Sequence, residues 1–262
     1  LLRLGDALTR AGESVEAHNA YARAAEIARR LGDSRRLARA AIGTFDAGYY
    51  SAYWYSPFIN LLEESLSQLQ EEDLDLKVPI LSRLATALQN SPESNERMRQ
   101  ISVEAVELAI RRDDPEELPF ALYARLLAHW SPENDASVFR DATELLEAAQ
   151  RISDTRMTLI GHAWRIHYFL ESGALAEADQ EINRYGSLAI ASRQPQYLWA
   201  DQLRRTMRLI AQGSFEEAEV SAIETRSRGQ RSWPGPADAN FFQQFFVIRR
   251  EQDRLVELGS DI

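Results

Sequence analysis

The chain has 262 residues, a formal net charge of -10 and a pI near 5.0, so a duplex-binding surface with clustered, uncompensated Lys and Arg is not expected. Cysteine is absent, which removes disulfides, thiolate metal sites and cysteine nucleophiles together. No run of eighteen apolar residues is present to span a bilayer, and Leu1-Leu2-Arg3-Leu4-Gly5 has neither the basic start nor the apolar length of a signal peptide, so a cytoplasmic protein is expected.

Leu, Ala, Glu and Arg dominate and Gly and Pro are sparse, a helical composition. The first apolar-periodic stretch predicts a helix over 1–11, followed by Gly12 and a second helix over 14–31, where Ala17, Tyr21, Ala24, Ala25 and Ala28 fall at helical spacing. Gly12 with Glu16-Ala17 recurs as Gly173 with Glu177-Ala178 and Gly213 with Glu217-Ala218; the last two are 40 residues apart and the first lies 161 before the second, close to four such periods. Phe58, Met98 and Val138 occupy the same place in the intervening copies. The glycine ends the first helix of each copy in the left-handed conformation, and the alanine one turn into the second lets two backbones approach closely.

In chain order the pattern then predicts first helices over 34–52, 75–89, 116–130, 155–172, 196–212 and 236–252, alternating with second helices over 57–70, 94–112, 134–151, 175–192 and 215–230. Polar turns separate the pairs at Gly32-Asp33-Ser34, Glu72-Asp73, Asp113-Asp114-Pro115, Ser153-Asp154-Thr155 and Arg193-Gln194-Pro195, and their Asp, Ser or Thr can cap the next helix. The loop Gln230-Arg231-Ser232-Trp233-Pro234-Gly235-Pro236 is expected to be a stiff turn before the last pair.

An isolated hairpin of this kind cannot cover its own apolar face, so neighbours must stack. The expected fold is all-α: a right-handed superhelical solenoid of tetratricopeptide-like hairpins with a period of about 40, forming one domain over 1–262 with first helices on its concave side. A chain that opens without Met inside a helix and stops after Gly259-Ser260-Asp261-Ile262 is expected to be a fragment of a longer multidomain protein.

The opening copy, with Leu1, Leu4-Gly5, Leu8, Gly12, Ala17, Tyr21 and Ala24, resembles the tetratricopeptide signature, with Leu in place of its first Trp; the terminal Pro is missing and the period is longer. The stretches GDALTRAGESVEAHNAYARAAEIARRLGD, QPQYLWADQLRRTMRLIAQGSFEEAE and FFVIRREQDRLVEL resemble the repeat region of large bacterial signal-transduction ATPases, of the LuxR-type transcription-regulator or nucleotide-cyclase-associated kind. In that group a P-loop ATPase module precedes the repeats. The resemblance implies a non-catalytic sensor or docking arm that binds a protein or peptide partner, a neighbouring ATPase module of the same chain, or a small-molecule inducer. No G-x-x-x-x-G-K-[ST] loop is present, and the single lysine, Lys77, lies far from any Gly-rich turn, so neither ATP nor any other cofactor is assigned to this chain.

No catalytic set emerges. His162 and His167 are five apart, a spacing that puts them on different helix faces, and His18 and His129 are isolated, so no metal site is expected. The acidic runs Glu63-Glu64, Glu71-Glu72-Asp73 and Asp113-Asp114 read as solvated caps and faces. The Arg clusters Arg35-Arg36-Arg39, Arg204-Arg205-Arg208 and Arg226-Arg228-Arg231 read as salt-bridged surface. The remaining signal is aromatic: Tyr50, Tyr53 and Trp54 in the run from Tyr49 to Phe58, then Tyr123, Trp130, Trp164, with His167, and Trp199 along first helices. As rigid amphipathic rings these residues are the candidate partner or ligand groove, the alternative being that they fill the core.

Overall fold

The computed structural model describes residues 1–11, 13–48, 56–89, 94–131, 135–230 and 234–253. Among them are thirteen helices: α1 Leu2–Ala11, α2 Ser14–Leu31, α3 Ser34–Gly48, α4 Ser56–Gln68, α5 Leu74–Leu88, α6 Asn95–Arg111, α7 Leu118–His129, α8 Asp135–Arg151, α9 Thr155–Glu171, α10 Leu175–Ser192, α11 Pro195–Ala211, α12 Phe215–Gly229 and α13 Pro234–Glu251. All correspond to the predicted elements, and no described residue is in a strand. The chain divides into two compact units, Leu1–Ile152 and Ser153–Ile262, at the polar turn between the fourth and fifth pairs.

In the first unit each helix packs on the next in chain order, and the first helices α1, α3, α5 and α7 also touch one another in sequence. The second unit repeats the scheme, with α11 contacting both α9 and α13. Second helices rest chiefly on the first helices before and after them, which is how consecutive hairpins cover faces that each leaves bare. Ala17, Ala178 and Ala218, the alanines of the repeated motif, are all completely buried. A larger side chain there would force the two helices of a pair apart.

The turns explain the helix limits. Gly173 and Gly213 take φ of +74° and +83°, and the following amides, of Ala174 and Ser214, reach back to the Phe169 and Leu209 carbonyls at 2.9 and 3.0 Å. Gly12 lies outside the described residues. Between pairs Gly32 does the same at φ +65°, but the equivalent turns use Asp113, Ser153 and Arg193 at φ +52°, +58° and +54°. The predicted caps form at three of these turns: Asp33, Asp114 and Asp154 accept from the amides of Arg36, Glu117 and Met157 at 2.9, 3.1 and 2.9 Å. Asp73 instead turns back to accept from the Gln70 amide at 3.0 Å.

Tyr21 shows how the first unit is keyed together. Its ring lies between Gly5 on α1 and Gly43 on α3, where an added Cβ would come within 2.6 and 2.3 Å of ring carbons, and its hydroxyl donates to Asp6 at 2.7 Å. Burial, followed by the bond to Asp6, pushes the phenol up to about 12. Glycine in a helix costs about 1 kcal/mol relative to alanine, so a Gly43→Ala substitution on an open surface would stabilise. Here the rigid ring blocks the methyl group and overpacking of about 1–3 kcal/mol outweighs the gain. Gly43→Ala is therefore expected to lower the urea midpoint, and to raise it instead in a Tyr21→Ala background; equal effects in both backgrounds would exclude the ring as the cause.

Candidate functional site

Three consecutive hairpins carry a polar contact at one repeat position. In α7–α8, Asp141 is 2% exposed and accepts from Arg125 at 2.9 Å, with His129 Nδ1 at 2.7 Å. Forty residues on, in α9–α10, Glu181 is 1% exposed and meets His162 Nδ1 at 2.5 Å, Arg165 at 3.0 Å and Arg184 at 2.6 Å. Burial opposes the charge on Glu181, but the hydrogen bond from His162 and the field of Arg165 outweigh it and hold the carboxyl at about 2.

Forty residues further, in α11–α12, the acid is replaced by Ser221. Its hydroxyl accepts from Gln202 at 3.0 Å and shares a 2.6 Å hydrogen bond with Thr206, so the position stays polar but uncharged. Arg205 stands where Arg125 and Arg165 stand in the earlier copies. Those side chains are 18% and 17% exposed, whereas Arg205 is 42% exposed, and its ion pair runs through Nε to Asp201 on its own helix at 3.0 Å.

A groove of about 710 Å³ opens beside Arg205, lined by α10, α11 and α12. Asp179, Ile182 and Asn183 come from α10; Gln202, Arg205, Arg208, Leu209 and Gln212 from α11; Glu217, Val220, Ser221 and Glu224 from α12. Arg208 is held bidentately by Asp179 at 2.8 and 3.0 Å. The volume is in the range of sites for small ligands. Of Arg204, Arg205 and Arg208, expected to form salt-bridged surface, Arg205 and Arg208 pair with Asp201 and Asp179, while Arg204 lies over the Tyr185 ring at 4.3 Å. The groove itself was not foreseen. Aligning the copies at 40 residues and noticing Ser221 after Asp141 and Glu181 would have pointed to it.

Tyr50, Tyr53 and Trp54 lie outside the described residues. In the first unit Tyr123 is half-buried on α7, and Trp130, at the end of that helix, is 51% exposed. In the second unit Trp164 and His167 are brought together, ring edge to ring face at 5.7 Å, on the side of α9 away from the residues that meet Glu181. His167 Nε2 also lies 3.2 Å from the Glu171 carboxylate. Trp199 is turned into its hairpin: its indole N–H donates to the Thr225 carbonyl at 3.1 Å, and a Cβ on Gly229 would come within 2.6 Å of its nitrogen. His162 is committed to Glu181, and among the described residues no group of three or more His, Asp or Glu is placed to hold a metal ion. No helix among them is long and apolar enough to cross a membrane.

The chain is similar to a solved Rap protein complexed with competence and sporulation factor, with a TM-score of 0.69 over 96% of this chain and 74% of the other, at 14% identity. The fold is that of a tetratricopeptide-like helical repeat. No family model matches the sequence, and no curated protein does either.

Proposed function

We propose that this chain is a non-catalytic interaction module, the sensor or docking arm of a bacterial signalling ATPase or transcription regulator, acting on a protein or peptide partner. Continuous rows of first helices within each unit carry the reading, because such rows offer a long surface of half-buried side chains rather than a closed catalytic pocket. The Rap protein of like fold was solved in complex with a factor it binds, which supports a partner-binding role at the level of fold. Attachment to an ATPase or DNA-binding module rests on the resemblance of the repeat stretches alone.

Affinity capture with the natural full-length protein, followed by mass spectrometry, tests the reading. A specific partner is expected, with retention falling about tenfold or more when Trp164 and His167, both half-buried, are replaced together by Ala, since aromatic anchors typically carry a large share of binding energy. A full-length gene with no ATPase, cyclase or DNA-binding module, together with no captured partner, would rule it out. A second reading, a small-ligand domain, draws on the 710 Å³ groove, and a thermal shift in proportion to ligand saturation would favour it.

A further inference from the structure

Within the second unit, one helix face stands open at positions that the repeat covers elsewhere. On α9 and α11 these positions meet the second helix of the same hairpin: Ile166 belongs to one core cluster with Ile182 of α10, and Thr206 shares its hydrogen bond with Ser221 of α12. Leu126, Ile166 and Thr206 are 0%, 1% and 0% exposed, whereas Phe246, forty residues after Thr206 on α13, is 49% exposed. Ala239, in register with Leu159 and Trp199, is exposed as well. A repeat array needs a polar outer face at its end to stay solvated, so an exposed phenylalanine there requires a cover.

We propose that the cover is the same face of a second copy of this chain, the two α13 helices packing antiparallel about a two-fold axis. The charges select this occupant. The four charged residues of α13 are all answered within the unit, Asp238 by Arg226, Arg249 by Glu219 and Arg250 by Glu251. Two copies, each with a net charge of -10, therefore meet here without unpaired like charges. A strongly acidic or basic partner would find no free charge on this stripe, whereas an identical neutral face fits it.

The shape is also complementary to itself. The exposed residues Ala239, Gln243, Phe246 and Arg250 follow one another at intervals of four, three and four, the spacing of a seam between two helices. With the axis between positions 242 and 243, antiparallel pairing sets Phe246 opposite the second copy's Ala239, large against small, and symmetry repeats the contact. One pair of helices buries less than the roughly 1,600 Å² of a standard interface, so micromolar association is expected.

The test is sedimentation equilibrium of the full chain at micromolar concentrations, where the mean mass should rise from 29.8 kDa toward twice that value. Phe246→Glu places a carboxylate on each side of the axis at a position already half exposed, and should raise the dissociation constant about tenfold or more with the helical circular-dichroism spectrum retained. Because the chain has no cysteine, Gln243→Cys puts a single thiol beside the axis on each copy, and mild oxidation should link the dimer through it. Adding Phe246→Glu should remove that link, and Val220→Cys, at a 60% exposed position on α12, should form none.

A mean mass that stays at the monomer value, a dimer unaffected by Phe246→Glu, or Val220→Cys linking as readily as Gln243→Cys each overturns the assignment. So does a natural full-length protein in which the Gln243→Cys link fails to form, which would give the face to another helix of the same polypeptide. None of these outcomes bears on a partner captured through Trp164 and His167, so the interaction-module reading stands or falls separately.

Discussion

Glu181→Leu should destabilise the second unit by about 3–5 kcal/mol, the cost of removing one member of a buried charge network. Glu181 is 1% exposed, and its two oxygens serve His162, Arg165 and Arg184. Leucine fills similar space but accepts nothing, so the buried ring nitrogen of His162 and the guanidinium of Arg165, 17% exposed, lose their acceptor together. The same residue makes the wild-type chain acid-sensitive. Its folded pKa, about 2, lies below its ordinary value of 4.5, so its contribution is complete above pH 4.5 and is lost as the pH falls from there toward 2. That difference corresponds to about 3 kcal/mol. Urea midpoints measured from pH 7 to pH 3 should fall for the wild type through this window and fall less for Glu181→Leu. A variant within about 0.5 kcal/mol of wild type, the ordinary range of surface changes, would show that the network contributes nothing net.

Arg83→Met is expected to cost about 2–3 kcal/mol, somewhat less, because the groups it abandons can regain water. Arg83 is 4% exposed and links three consecutive first helices: Asp46 of α3 at 3.2 and 3.3 Å, Glu117 at the start of α7, and the Phe120 ring of α7 at 4.1 Å from its own place on α5. Burial works against the charge, yet Asp46 and Glu117 outweigh it and hold the guanidinium firmly protonated. Methionine keeps the apolar stem and removes the charge, leaving two carboxylates facing each other. Burial raises the pKa of Glu117, with Asp46 and Asp114 adding to it and Arg83 opposing. Without Arg83 that rise becomes larger. A carboxyl whose folded pKa exceeds its unfolded value costs stability when ionised and gives it back as the pH falls through the folded pKa. The gap between variant and wild type should therefore narrow on acidification, here because the variant regains stability, whereas for Glu181→Leu it narrows because the wild type loses it. A gap that is constant or widens would mean that lost packing, not the stranded carboxylates, is the cause.

Much of the fold was legible because its determinants are local. Gly173 and Gly213 mark hairpin turns since the backbone there needs positive φ, and Asp33, Asp114 and Asp154 mark helix starts since they satisfy amides three residues on. The non-glycine turns at Asp113, Ser153 and Arg193 were found only as polar punctuation; their left-handed backbone has no residue signature. The aromatic set was less legible. Trp164 and His167 meet, as their spacing of three on one helix allows, but nothing in the spacing of Trp199 revealed that its N–H would be taken up by Thr225, 26 residues away.

By itself the sequence determined the order and limits of the helices and the forty-residue repeat, because capping, left-handed turns and close packing at Ala17, Ala178 and Ala218 are demands made within one hairpin. Tertiary structure alone decided the fate of three equivalent arginines. Arg125 and Arg165 pair with an acid on the facing helix and are largely covered, whereas Arg205, opposite Ser221, pairs with Asp201 on its own helix and is left half open. A charge is answered by whatever the fold brings within reach, and for the covered two that neighbour belongs to another helix.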